Sequence, residues 1–199
     1  MRASVQTKEI REAILDATDK LLARYGYGKM TIDDLAKEVG IGKGSIYLHF
    51  TSKEEIALSH VDRIIERLCK KLVEISGEKI SNDQKLRKML LMRVSFRFDS
   101  VQHYTQSIND LLSSLRAKLL ERRRGYHLEE AEIFSRVIKH GQKSGEFRTG
   151  NPTEIANSFL LATNSLLPFN LSTQELGKRA DVEKETKRLA NILLKGIAK

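Results

Sequence analysis

Apolar residues recur along nearly the whole chain at intervals of three and four, the period of an amphipathic helix, and strand-like alternation is scarce. Ile10, Ile14, Ala17 and Leu21 set the first stripe and predict a helix over 7–25, closed by Gly26 and Gly28 because glycine accepts the left-handed backbone of a helix stop. The next start is marked by Thr31, placed to cap the N–H of Asp34 while the Asp34 carboxylate reaches back, with Met30 stapled onto Leu35. Gly40 keeps that helix short, and a second short segment covers 43–50. Ser52 with Glu55 opens a further helix. The apolar positions Ile64, Ile65, Leu68, Leu72, Val73 and Ile75 predict one over 62–75, and Ser81 with Gln84 caps one running to about 101. Helices are also expected over 105–123, 128–143, 152–167 and 182–198. The start at 152 is strongly specified, with Asn151 as cap, Pro152 first and Glu154 third. The chain is all-α.

Composition narrows the class. With 199 residues, 40% of them hydrophobic and only 2 prolines, the chain is long enough to bury cores without disulfides or metal and is not a Pro-rich disordered polymer. The single cysteine, Cys69, excludes an intramolecular disulfide and suits a reducing compartment. No apolar run follows the charged N-terminus, so no signal peptide is expected. The longest uncharged stretch, 155–174, carries Asn157, Asn164, Pro168 and Asn170, too polar for a membrane span. A soluble cytoplasmic protein without a membrane partner is expected. The net charge of +9 is not by itself a sign of nucleic-acid affinity, because residues 1–65 are balanced at ten basic against ten acidic and the excess lies downstream.

Two short helices separated by a glycine turn form a helix-turn-helix. Ala36 stands where the helices cross and must be small, Gly40 turns the chain, and Leu35, Val39, Ile41, Ile46 and Phe50 supply the apolar contacts that fix the crossing. At 100° per residue, Ile46 and Phe50 point inward. Gly44, Ser45 and Leu48 point outward, with Lys43 and Tyr47 on a flank.

Residues 10–56, above all TIDDLAKEVGIGKGSIYLHFTSKEEI, resemble the DNA-binding domain of the tetracycline-repressor (TetR) family. Thr31, Ala36, Gly40, Tyr47, His49-Phe50 and Lys53-Glu54-Glu55 match its pattern in order and spacing, over about a quarter of the chain. Gly42 departs from it, standing where many members have a capping Ser. The resemblance implies an N-terminal three-helix DNA-binding domain, 1–52, and a larger helical ligand-binding and dimerisation domain, 53–199. It further implies a homodimeric regulator of transcription, usually a repressor, on a palindromic double-stranded operator. Carried over by position, Lys43, Gly44, Ser45 and Tyr47 are implied to face the major groove, and Thr31, His49 and Lys53 to hold phosphates. Those types suit the tasks, since Lys donates to guanine O6 or N7 and a helix N-terminus offers free N–H groups to a phosphate.

In the downstream half, Met89 to Phe98 is apolar around nearly its whole circumference, so that helix is enclosed by others. The resemblance makes it a lining for an apolar or amphipathic effector, with Met89, Met92, Arg93, Phe96 and Phe134 as candidate pocket residues. Arg93 and Arg97 share a strip that suits either an acidic ligand or an internal salt bridge. Leu160, Leu161, Leu189, Ile192 and Leu193 are the candidate dimer interface.

Enzymatic readings find little support: there is no Gly-rich phosphate loop, no nucleophile elbow and no metal-spaced pair among the 5 histidines. No cofactor or metal is expected. Lys70 and Lys71 flank Cys69 and are expected to lower its pKa, but no second cysteine is present to resolve a disulfide. The competing class is a ligandless DNA-bound interaction protein of the same fold, such as a nucleoid-associated factor with a protein partner.

Overall fold

Helical periodicity dominates the structure as it does the sequence. The computed structural model describes the backbone of residues 2–101, 107–166 and 177–199, and the side chains of 7–100, 114–166 and 177–199. Within these lie α1 (Arg2–Lys29), α2 (Ile32–Val39), α3 (Lys43–Tyr47), α4 (Lys53–Ser76), α5 (Asn82–Val101), α6 (Ser107–Lys143), α7 (Pro152–Asn164) and α8 (Arg179–Ile197). Among the described residues the sole β pairing is an isolated bridge between Phe147 and Ala198. The chain divides into two compact units, Met1–Ile64 with His103–Leu119, and Ile65–Gln102 with Leu120–Lys199.

In the first unit, α1 buries Ile14, Leu15, Ala17, Leu21 and Leu22. Its stop differs from expectation. Gly26 breaks the helical path at φ 77°, ψ 169°, but Gly28 stays in a final turn that ends at Lys29. The α2 start is as the sequence predicts: Thr31 Oγ1 accepts the Asp34 N–H at 3.1 Å, and the Asp34 carboxylate accepts the Thr31 N–H at 3.0 Å. Met30 and Leu35, the two staple positions, are both fully buried. Gly40 adopts φ 77°, ψ 31°, and its N–H and that of Ile41 both donate to the Ala36 carbonyl, so the helix end is closed by a left-handed residue that a side chain would strain.

α3 is shorter than the expected 43–50. It stops at Tyr47, and the N–H groups of His49 and Phe50 both turn back to the Ile46 carbonyl, at 3.0 and 3.1 Å. Gly42 provides no side-chain cap. Ser52 Oγ accepts the Glu55 N–H at 3.1 Å, and the helix it opens runs unbroken to Ser76, absorbing the separate helix expected over 62–75.

In the second unit, α5 packs against α8 and α7. Leu68, Leu72, Met89, Leu90, Phe134, Ile138, Phe159, Leu160 and Leu194 belong to one buried cluster. Ser81 and Gln84 form a full capping box, with bonds of 3.2 and 3.3 Å. The helices expected over 105–123 and 128–143 are one helix, α6; Gly125 sits inside it with open space where a Cβ would project. The expected ends at 105 and 167 fall outside the described residues. Asn151 caps α7 through the N–H groups of Thr153 and Glu154, at 3.0 and 3.4 Å. After α6 the chain folds back so that Phe147, 2% exposed, covers Gly141; a Cβ on Gly141 would lie 2.2 Å from the Phe147 ring. No described helix is long and apolar enough to cross a membrane.

Candidate nucleic-acid interface

The α2–turn–α3 unit presents one face and buries the other. Ala36 is 6% exposed and Leu35 and Ile46 are fully buried. Lys43 and Gly44 are exposed at the start of α3, Ser45 is half-buried, and Tyr47 is 51% exposed. Thr31 is exposed and His49 half-buried. The face that points away from the core thus carries Lys43, Gly44, Tyr47 and Leu48. Leu48 is absent from the sequence-derived set of DNA-facing residues although its helical position already pointed outward. At 84% exposure it has the largest exposure among the described large apolar residues, and it offers an apolar surface of the kind that meets a thymine methyl.

The two candidate lysines are held differently. Lys43 Nζ lies 2.8 Å from Asp33 Oδ2 in an exposed pair, and the hydrogen bond and charge of Asp33 raise the lysine pKa. Lys53 instead faces inward. Its ammonium donates to the carbonyls of Tyr27, Met30 and Gly28, at 2.9, 3.1 and 3.4 Å, and sits 4.5 Å from the centroid of the Tyr27 ring. Its donors are therefore engaged on carbonyls at and just past the end of α1, a favourable position for a cation at a helix C-terminus.

Buried Arg63 and His60 on α4 reach more exposed carboxylates of α1 inside the same unit. Arg63, 6% exposed, reaches Asp16 at 2.7 Å and Glu12 at 3.1 Å. One turn earlier, His60 Nε2 lies 3.4 Å from Asp19 Oδ1. Glu12, Asp16 and Asp19 recur at helical spacing, a signal visible in the sequence, but their partners lie some fifty residues away and could not be paired from periodicity.

The second unit sorts its candidates sharply. Met89 and Phe134 are fully buried in the apolar cluster, and Met92 and Phe96 are half-buried against it. Arg93, 2% exposed, donates to Glu130, Thr163 and Asn164, so its side chain is an internal ion pair; burial, with Arg97 beside it, lowers its pKa to about 10. Leu160, a candidate interface residue, is instead fully buried, because its position on α7 faces the apolar cluster. Leu161 and Ile192 are 63% and 60% exposed, while Leu189 and Leu193 are half-buried. For Cys69 the expected direction is reversed. The thiol is buried and near Glu129 and Glu130, and those effects push its pKa up to about 12 against the lowering charge of Arg97.

Two short helices joined by a left-handed glycine, the second bearing exposed polar and aromatic side chains, make this a helix-turn-helix DNA-binding protein. Residues 14–59 match the model of the bacterial regulatory proteins, tetR family. The HTH-type transcriptional repressor KstR2 of Rhodococcus jostii is 26% identical over 193 residues, covering 94% of this chain and 91% of that protein. A transcriptional regulator from Cytophaga hutchinsonii is 25% identical with a TM-score of 0.77, covering 94% of this chain and 98% of its own. FadR from Bacillus subtilis, solved in complex with stearoyl-CoA, shares the fold at 21% identity and a TM-score of 0.69, over 94% of this chain and 98% of its own. Residues 14–59 therefore carry the DNA-binding domain of the bacterial regulatory proteins, tetR family.

Proposed function

We infer that this protein is a ligand-responsive repressor that binds a palindromic operator as a homodimer. The observation that carries the reading is the exposed face of α3, where Lys43, Gly44 and Tyr47 stand clear of a buried Ile46 on the matched family domain. Lys43, Ser45 and Tyr47 read base edges, Gly44 lets the helix approach the groove closely, and Thr31 and His49 hold phosphates. Lys53, engaged on three carbonyls, acts on DNA by fixing the start of α4 against the end of α1.

The homodimer is supported by Leu161 and Ile192, which leave large apolar side chains exposed on α7 and α8. An apolar or amphipathic effector is supported by the adaptable Met89 and Met92 in the second unit and by the fold neighbour bound to stearoyl-CoA. Such an effector releases DNA only as far as it binds the DNA-incompetent form more tightly.

The test is sedimentation of the full chain at micromolar concentration, combined with selection from a randomised operator library. A dimer selecting two inverted half-sites, roughly 34–36 Å or somewhat more apart, is the expected result. A monomer with full operator affinity would overturn it.

A further inference from the structure

In the second unit two arginines meet at one buried carboxylate. Glu130 is fully buried and accepts from both Arg93 Nε and Arg97 Nη2. Arg93 completes its bonding with Thr163 Oγ1 and Asn164 Oδ1, both at 2.8 Å. Arg97 does not. Its side chain is 22% exposed, its Nη1 reaches Asn164 Oδ1 only at 3.5 Å, and its Nε is buried without a hydrogen-bond partner. One carboxylate thus answers two guanidinium groups.

A partly buried guanidinium that shares its carboxylate with a second arginine and leaves its Nε unbonded keeps donor capacity to spare, and an oxyanion brought to it forms charge-assisted bonds. Next to each arginine on α5 stands an apolar side chain, Met92 before Arg93 and Phe96 before Arg97, half-buried and packed on the apolar cluster. Cation and apolar surface therefore adjoin along two turns of one helix.

We propose that Arg97 binds the oxyanion head of an anionic amphiphile, a carboxylate or a phosphate on an apolar tail, with Glu130 and Asn164 orienting the guanidinium and Met92 and Phe96 receiving the tail. The proposal rests on the reading of this unit as the effector domain and names the chemical class of the effector. The head-group charge is what Arg97 selects, because a neutral head offers its spare donors no anionic acceptor.

The test is calorimetric titration of the full chain with decanoate, decyl phosphate and decanol, with operator binding followed separately by fluorescence anisotropy. One anion binds at least about tenfold more tightly than decanol, and the better of the two identifies the head group. Arg97→Gln brings anion affinity down to that of decanol and leaves decanol unchanged, while Arg97→Lys restores part of the difference. Equal affinities for anions and decanol, no saturable binding of any probe, or an unaltered anion affinity in a folded Arg97→Gln protein would overturn the proposal. The wild-type comparison of anion with alcohol decides the matter even where the variant misfolds. Tight anion binding with no change in operator affinity leaves the Arg97 site standing and overturns the effector reading instead.

Discussion

The Lys53 ammonium lies 2.9 Å from the carbonyl oxygen of Tyr27 and 4.5 Å from the centroid of the same residue's ring. One cation at the start of α4 therefore satisfies the last carbonyls of α1 and covers an aromatic face. Hydrogen bonds from a charged group to buried acceptors contribute more than neutral ones. Lys53→Ala is expected to destabilise the chain by about 1–3 kcal/mol in urea unfolding. Because the donors are already engaged, the salt dependence of operator binding is expected to keep its slope. Loss of about one counterion per subunit from that slope would show that Lys53 leaves α1 and holds a phosphate.

Lys43 pairs with Asp33 in an exposed ion pair, which competes with any contact the lysine makes to a base. Lys43→Ala is expected to relax selection at one base pair of each half-site, on the order of tenfold. Asp33→Asn should act oppositely, raising operator affinity roughly two- to fivefold at low salt, with the gain shrinking as salt rises. Competition selection on a randomised operator at several salt concentrations measures both. A uniform loss across all sequences for Lys43→Ala would place the lysine on the backbone.

The contrast between these lysines marks how far the sequence reaches. The Thr31–Asp34 box, the Gly40 turn, the Ser81–Gln84 box and the Asn151 cap were all legible, because each is made by residues within four or five positions of one another. Lys53 was not, because its partners lie more than twenty positions earlier and only tertiary packing brings them to it. The fusion of two expected helices into α6 was missed for a similar reason. Gly125 carries a local cost of about 1 kcal/mol as a helix residue, and packing elsewhere along a helix of 37 residues overrides it. Leu160 and Leu161 show the limit at a single step: adjacent and chemically identical, one is fully buried and the other 63% exposed.

Among the described residues Glu130 is the one carboxylate joining Arg93 and Arg97, and it is fully buried. Glu130→Ala leaves both guanidinium groups without it and is expected to cost about 3–5 kcal/mol, read as a lower urea midpoint with secondary structure retained in water. A change within error would mean that Thr163 and Asn164 alone satisfy the arginines.

Cys69 gives a pH test with a defined sign. Its thiol is held near 12 in the folded chain, above the ordinary value of 9.0, so the unfolded state loses its proton first. The contribution is fully present below about pH 9 and is lost as pH rises toward 12, by up to about 1.4 kcal/mol per pH unit. Cys69→Val should therefore lose stability less steeply than the wild type between pH 9 and 10.5 in urea titrations. Alkylation by iodoacetamide at pH 8 should be slow in native protein and fast in urea. Rapid alkylation of the native chain would contradict the buried thiol.

The contact of Phe147 with Gly141 leaves no room for even a methyl group at 141. Phe147 is also the residue whose bridge to Ala198 and whose neighbour Arg148, bonded to Ile197 at 2.8 Å, pin the end of α8. Position 141 is therefore held to glycine by Phe147: a larger residue there requires a smaller one at 147, and replacing Phe147 first removes the side chain that covers Gly141 beside the end of the last helix. Sequence drift in this chain is expected to treat the two sites as a single unit of inheritance.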